Sequence, residues 1–305
     1  MSAAPSARYA VAETKDLVET HRLVDRERDA EVVLAPTRGG MVTRFRVGGD
    51  ELLFLDQGTL RDHTQNVRGG IPILFPFAGR LRDDAFLLDG QRIAMPQHGF
   101  ARKMPWRIIG TAADADAAAI ILQLEHSDAT LQAWPFRFRL TFRYVLRDEV
   151  LTIHQRYQNL DDRPMPMHPG LHPYFRVDDW SKRHVRLETA ATKAYDNSAG
   201  SLCTLAAPIE FGSGEVDLQL LDHGQTRVRL TRPGTAGVDL TSERADTVVT
   251  VWSLPGRDFV CVEPWTRPSD AVNRGEALLV EPSQAYESVV SISLGPVSPP
   301  PGGGT

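Results

Sequence analysis

A strict alternation of large apolar and polar side chains at residues 136–144 constrains the fold more than any other feature of this chain. Phe136, Phe138, Leu140, Phe142 and Tyr144 occupy every second position, with an arginine or threonine between them. Because successive side chains of a β-strand point to opposite faces of the sheet, the pattern predicts a strand with one buried and one solvent-exposed face. Such one-sided burial is typical of antiparallel sheets.

Further segments have the β-branched and aromatic content of strands and are bounded mostly by the turn-forming residues Gly, Pro, Asp or Asn. These segments are 119–126, 150–157, 226–232, 247–253, 259–265 and 287–294. The best helical candidate, residues 15–24, is ambiguous because its β-branched content also suits a strand. The sequence therefore predicts an all-β protein, built as a large antiparallel β-sandwich with few short helices.

The ends of the chain differ in composition from its middle. Residues 1–16 are small and polar, and residues 295–305 are rich in Pro and Gly. Length alone allows either one domain or two, but no linker divides residues 17–294. We therefore expect a flexible N-terminus, a single β-sandwich domain over residues 17–294, and a Pro/Gly-rich tail.

Charge and cysteine content narrow the environment and the partners. The chain carries 34 Lys and Arg against 39 Asp and Glu, a formal charge of -5, so neither nucleic acid nor an anionic membrane is expected as a partner. Cys203 and Cys261 are far apart and form no CxxC pair, which fits a reducing compartment. No apolar run approaches the ~18 residues of a membrane span. We expect a soluble cytoplasmic protein; the sequence defines no oligomeric state.

Several common catalytic motifs are absent from the sequence. The chain has no GxxxxGK[ST], no dinucleotide-binding fingerprint after a strand, no GxSxG and no HExxH, so nucleotide hydrolysis, hydride transfer and serine hydrolysis lose support. Titratable residues instead cluster among Gly, Pro and aromatic residues in three segments: 68–81 with 96–102, 167–175, and 259–273. Such loops carry functional sites on rigid scaffolds.

Each of these segments contributes a candidate proton-transfer or binding residue. His98 follows glycine- and proline-rich sequence, and His168 and His172 lie within five residues in a Pro/Gly frame. Histidine titrates near neutral pH and suits general acid–base work. Glu263 interrupts an apolar strand, where burial raises a carboxyl pKa towards that of a general base. The alternatives are a structural histidine for His98 and a solvent-facing position at the end of a strand for Glu263.

Four motifs in fixed order give a specific resemblance. GGIPILFP, HGFAR, HPYF and CVEPW together resemble the aldose 1-epimerase or galactose-mutarotase-like superfamily, particularly the branch that includes hexose-6-phosphate 1-epimerases. The resemblance extends from about residue 17 to residue 294. It implies an isomerase that interconverts the α and β anomers of a sugar, without a metal or an organic cofactor.

The resemblance also implies roles for individual residues. His172 would protonate the ring oxygen as general acid, and Glu263 would act as general base at the anomeric hydroxyl. His98 would hydrogen-bond the sugar near its ring oxygen. An aspartate would bind ring hydroxyls; Asp217 is the candidate, with Asp222 close by as the alternative.

Two arginines complete the expected substrate contacts. Arg68 matches a family position that contacts the substrate, and Arg102 is a further contact. Arginine suits phosphate through bidentate hydrogen bonds, so the small-molecule ligand is either a sugar or a sugar phosphate. We favour a free aldohexose and keep a hexose 6-phosphate as the alternative.

The sequence leaves two other classes of function open. One is a non-catalytic carbohydrate-binding protein of the same fold, which would not need an acid–base pair. The other is a metal site formed by His98, His168, His172 and Glu263. The two closely spaced histidines lie on a proline-containing stretch without helical spacing, which does not favour the metal site.

Overall fold

Short antiparallel strands form most of the protein in the computed structural model, which describes residues 7–15, 17–205, 207–244 and 247–298. The first strands are β1 (Tyr9–Lys15), β2 (Glu19–Asp25), β3 (Ala30–Ala35), β4 (Met41–Val47), β5 (Asp50–Glu51), β6 (Ile73–Leu74), β7 (Ala85–Leu88) and β8 (Gln91–Ala94). The next are β9 (Arg107–Ala113), β10 (Ala118–Glu125), β11 (Phe138–Arg147), β12 (Val150–Asn159), β13 (Met165–Met167), β14 (Gly170–Leu171), β15 (Tyr174–Arg176) and β16 (Arg186–Glu188). The last are β17 (Lys193–Asp196), β18 (Ser201–Thr204), β19 (Val216–Leu220), β20 (Arg227–Thr231), β21 (Ala236–Ser242), β22 (Val248–Ser253), β23 (Phe259–Trp265), β24 (Leu278–Val280) and β25 (Ala285–Val297).

Helices in the described residues are few and short, as the sequence predicts. The α-helices are α1 (Gln57–Arg61) and α2 (Asp128–Ala133), and short 3-10 helices occupy Arg82–Asp84, Ala101–Lys103, Asp179–His184 and Ala271–Arg274. Ser127 caps α2 through a reciprocal capping box with Thr130. No helix in the described part of the chain is both long enough and apolar enough to cross a bilayer.

The strands assemble into three main sheets. The first sheet contains β1 to β5 in chain order, and the second has the order β16-β20-β21-β25-β12-β11-β10-β9. The third sheet has the order β18-β17-β19-β22-β23-β14-β6, and β15 also pairs with β23. Two small two-stranded sheets lie outside them: the hairpin of β7 with β8, and the pair β13 with β24.

Most of the alternating segment 136–144 lies in β11, an interior strand of the second sheet between β12 and β10. On β11, Leu140 and Tyr144 are buried opposite Tyr157 and Ile153 of β12. Phe75, just after β6 of the third sheet, packs its ring 5.1 Å from that of Phe138. Aromatic contacts of this kind join the second and third sheets across one core. The predicted all-β antiparallel sandwich is confirmed.

The N-terminal prediction is wrong for the strand Tyr9–Lys15. This strand pairs along its whole length with β2. Of the segment 15–24, Lys15 therefore ends β1 and residues 19–24 lie in β2, so its described ordered part is strand rather than helix. Tyr9 is only 2% exposed, and the Arg8 guanidinium donates two hydrogen bonds to buried Asp25, at 2.9 and 2.7 Å. This strand is difficult to recognise in the sequence because its small residues give no strong alternating pattern. It is stabilised by pairing with β2.

The C-terminal boundary is also shifted. Strand β25 continues to Val297, three residues into the predicted tail, and pairs there with β21. Residues 1–6, 16 and 299–305, also assigned to the flexible ends, lie outside the described residues. The single domain over residues 17–294 stays a prediction.

The docking of β1 can be tested at Tyr9. We expect Tyr9→Ala to lower the free energy of unfolding by roughly 3 kcal/mol, because it empties a buried aromatic position. Denaturant unfolding followed by tryptophan fluorescence measures the change. Leu202→Ala, at a side chain 71% exposed, is the control and should shift the free energy by less than about 0.5 kcal/mol. Equal effects of the two substitutions would contradict the docking of this strand.

Candidate active site

Glu263 lies in the middle of β23, on a strand with two chemically different faces. Val260 and Val262 point into the main hydrophobic core, and Cys261, Glu263 and Trp265 share the opposite face. The Glu263 side chain is enclosed rather than solvent-facing, with the residue only 1% exposed. The alternative of an exposed carboxylate at the end of a strand is therefore wrong.

His172 lies between β14 and β15, directly beside this carboxylate. Its Nε2 is 3.4 Å from Glu263 Oε1. The His172 backbone N–H donates to the carbonyl of Pro72 at 3.0 Å, and its ring stacks on Tyr174 with the centroids 4.6 Å apart. The proline-framed HPYF loop thus fixes both the backbone and the ring plane of His172.

Trp265 holds the other oxygen of the Glu263 carboxyl. Its indole N–H donates to Oε2 at 3.1 Å, which is possible because residues two apart on a strand share a face. The carboxyl therefore has one oxygen fixed by Trp265 and the other turned towards His172.

His98 reaches the same site from the loop after β8. Its φ is +66°, in the left-handed region, and its ring lies 5.3 Å from the ring of His172 between centroids. The next residue must be glycine, because a Cβ on Gly99 would meet the Phe75 carbonyl oxygen at 2.1 Å. His98 and Gly79 exchange hydrogen bonds: His98 N–H donates to Gly79 O at 2.8 Å, and Gly79 N–H donates to His98 Nδ1 at 3.0 Å. Since Nδ1 accepts, the neutral ring carries its proton on Nε2.

The structure separates the two candidate aspartates. Asp217 on β19 lies opposite Trp252, which in turn lies opposite Cys261, so Asp217 shares the face of Glu263. Asp222 is exposed after the end of β19, where its carboxylate accepts hydrogen bonds from the backbone N–H groups of Thr192 and Lys193. Asp217 is therefore at the site, and Asp222 stabilises a turn.

The two predicted arginines occupy different depths. Arg102 is half-buried and donates to the Gln97 carbonyl at 2.7 Å. Burial lowers the pKa of both His98 and His172, and the charge of Arg102 lowers both further. Arg68 is exposed, and its charge acts on the hydroxyl of Tyr174, opposing the rise that burial causes in that pKa. Arg102 thus belongs to the interior of the site and Arg68 to its rim.

Burial dominates the protonation of the central pair. It raises the pKa of Glu263 well above its usual value, with a further rise from the charge of Asp217. It lowers the pKa of His172 to about 3. A neutral carboxyl beside a neutral imidazole holds the same number of protons as a carboxylate beside an imidazolium. Burial thus favours the uncharged forms of both groups, and transfer of the Glu263 proton to His172 converts one of these two arrangements into the other.

His168 does not join the site. It is fully buried, with its ring stacked on Phe77 at 4.7 Å between centroids, and burial lowers its pKa to about 3. The four residues considered for a metal site are thus not gathered. Among the described residues, the group with metal-ligand types close together is His172, Cys261 and Glu263, whose ligand atoms lie within 4.8 Å of one another.

Sequence reasoning missed two amides beside Asp217. Asn197 follows β17 and donates through Nδ2 to Asp217 Oδ1 at 2.6 Å, and Gln219 donates to Asn197 Oδ1 at 2.7 Å. The available signal was the alternation in VDLQL, where Asp217 and Gln219 both face away from the core residues of β19.

Comparison with known proteins supports the same family as the four motifs. The sequence model for aldose 1-epimerase matches residues 22–293. A protein of Cenchrus ciliaris, named as a candidate glucose-6-phosphate 1-epimerase, is 30% identical over 272 residues, which cover 84% of this chain and 76% of the relative.

Solved structures show the same fold. A protein from Synechocystis sp. PCC 6803 superimposes with a TM-score of 0.87 at 35% identity, covering 94% of this chain and 99% of the other. A galactose mutarotase-like protein from Clostridium acetobutylicum gives a TM-score of 0.79 at 16% identity, with coverage of 94% and 98%. The resemblance read from the sequence is confirmed, and the chain belongs to the aldose 1-epimerase family.

Proposed function

We propose that this protein is an aldose 1-epimerase that interconverts the α and β anomers of an aldohexose by general acid–base catalysis. The observation that carries the proposal is the 3.4 Å approach of His172 Nε2 to Glu263 Oε1 on a buried polar face. The two oxygens that exchange protons in mutarotation, the anomeric hydroxyl and the ring oxygen, are bonded to one carbon. Two adjacent groups, one proton donor and one acceptor, therefore suit the reaction.

These two residues account for every proton that moves in the proposed reaction. Glu263 takes the proton of the anomeric hydroxyl while His172 gives a proton to the ring oxygen, and the bond between C1 and the ring oxygen breaks to leave the open-chain aldehyde. Rotation about the C1–C2 bond presents the other face of the carbonyl. Ring closure then reverses both proton transfers, so the pair returns to its starting protonation.

The neighbouring residues fit supporting roles in this proposal. His98, with its proton on Nε2, donates a hydrogen bond to the sugar near the ring oxygen. Asp217 accepts from a ring hydroxyl, with Arg102 and Arg68 as further contacts. Tyr174 and Trp252 surround the ring of His172 and offer apolar surface to a sugar.

Substitution of the pair tests the reaction. We expect His172→Asn and Glu263→Gln each to lower kcat/KM by about 100- to 10,000-fold, because each removes one positioned proton transfer. Polarimetry of freshly dissolved α-D-glucose, corrected for the spontaneous rate, measures the loss. His154→Asn, an exposed histidine on β12, is the matched control. If the protein is a non-catalytic carbohydrate-binding protein, neither the wild type nor any variant will accelerate the change in optical rotation, although the sugar binds.

The pH profile follows from the shared proton. We expect kcat/KM to be flat across neutral pH, to fall towards pH 3 as the pair gains a second proton, and to fall at alkaline pH as it loses its only one. The charge of Asp217 contributes to the raised pKa of Glu263, so Asp217→Asn should move the alkaline fall to lower pH. Rates from about pH 3 to about pH 10 for both proteins measure the acid and the alkaline limit. If the alkaline fall in the variant occurs at the same or a higher pH, Glu263 is not the group whose titration sets that limit.

A second candidate is the same reaction on a hexose 6-phosphate. The name of the Cenchrus ciliaris relative and the position of Arg68 at the rim favour it. NMR exchange between the anomeric proton signals of free aldohexoses and of their 6-phosphates distinguishes the two. We expect accelerated exchange in the free sugars. If exchange is accelerated only in the phosphorylated sugars, the substrate is a hexose 6-phosphate rather than a free aldohexose.

A further inference from the structure

A chain of side-chain amides connects Asp217 to the loop that follows β23. Ser269 N–H donates to Gln219 Oε1 at 2.8 Å, and Gln219 Nε2 donates to Ser269 Oγ at 2.8 Å and to Asn197 Oδ1 at 2.7 Å. Asn197 Nδ2 then donates to Asp217 Oδ1 at 2.6 Å. Gln219, at the centre of this chain, is 1% exposed.

The direction of every bond in this chain is fixed by its first member. A backbone N–H is only a donor, so the Gln219 atom facing Ser269 N must be the amide oxygen. The Gln219 nitrogen must then face Asn197, whose oxygen accepts, and the Asn197 nitrogen is left to donate to Asp217. If either amide flipped, two donors or two acceptors would face each other. Because these groups are shielded from water, the lost hydrogen bonds would not be replaced and the flip would destabilise the protein.

We propose that Gln219 is a positioning residue for substrate recognition, acting through Asn197 to orient the carboxyl of Asp217. With Oδ1 engaged by the Asn197 amide, the carboxyl presents its remaining acceptor capacity to the sugar and selects a hydrogen-bond donor, a ring hydroxyl. This inference rests on the proposed function, because it assigns the substrate hydroxyl to Asp217. It adds two residues that do not touch the reacting atoms.

The same chain links two separate parts of the site. Ser269 lies in the loop after Trp265, which holds the Glu263 carboxyl, and it also packs against Gly79, where a Cβ would meet Ser269 Cβ at 2.5 Å. The amide chain therefore aligns the hydroxyl-binding carboxyl with the loop next to the proposed base.

A double-mutant cycle tests the proposal. The variants are Gln219→Met, which keeps the side-chain volume but removes both amide groups, Asp217→Asn, and the two together. KM and kcat are measured by polarimetry, and the dissociation constants of D-glucose and of D-glucose 6-phosphate by calorimetry. We expect Gln219→Met to raise KM and the dissociation constant about tenfold and to change kcat by less than about threefold. In the double variant, the rise in KM and in the dissociation constant should not exceed the rise caused by Asp217→Asn alone.

Two further variants separate positioning from packing. Gln155→Met removes a comparably buried glutamine on β12, whose amide oxygen accepts from the Tyr157 hydroxyl, and should leave KM unchanged. Asn197→Ala breaks the chain one step nearer to Asp217 at a half-buried position, and should reproduce the rise in KM even where Gln219→Met unfolds the protein.

The outcomes distinguish this proposal from the function on which it rests. Additive effects of Gln219→Met and Asp217→Asn, or an unchanged KM and dissociation constant in both Gln219→Met and Asn197→Ala, would overturn the positioning role. If the dissociation constants change across the double-mutant cycle as expected, but no protein accelerates mutarotation, the positioning role is supported and the proposed enzymatic function is overturned. Binding unaffected by Asp217→Asn would overturn the assignment of the hydroxyl to Asp217, and the positioning role with it.

Discussion

Burial of a carboxyl in the middle of a strand is the constraint on which the rest of the site depends. A carboxyl removed from water is stable only as a neutral acid or with close partners, and Glu263 has both options. Trp265 donates to one oxygen, and His172 lies beside the other. Because burial favours the uncharged forms of both groups, and proton transfer between them produces an ion pair, the enclosed site avoids an unpaired charge in either arrangement.

The third sheet makes this arrangement possible by keeping its two faces chemically distinct. The face with Val260 and Val262 belongs to the main core, and the other face has polar groups on neighbouring strands in register. Strands place Asp217 and Glu263, whose spacing is then as rigid as the sheet. Loops bring His98 and His172 to that surface, each with its backbone hydrogen-bonded to another segment.

Most of the fold and the central pair could be predicted from the sequence, because their signals are local. Alternating residues define β11, and the residue types of His172 and Glu263 stand out from their surroundings. The docking of β1 and the roles of Asn197 and Gln219 could not be predicted, and the sequence favoured Asp217 without excluding Asp222, since each of these points depends on which strands pair and in which register. Long-range pairing of that kind is absent from any short window of sequence.

The hydrogen bond from Gly79 to His98 has a consequence for ligand chemistry. A backbone amide neither titrates nor rotates to accept, so Nδ1 stays an acceptor and Nε2 stays the donor. A compound designed for this position must therefore offer a lone pair to His98. Under the proposed function, a carbocyclic analogue, in which a methylene group replaces the ring oxygen, would lack the acceptor proposed for His98 while keeping every hydroxyl, and so would isolate what the ring oxygen alone contributes to affinity.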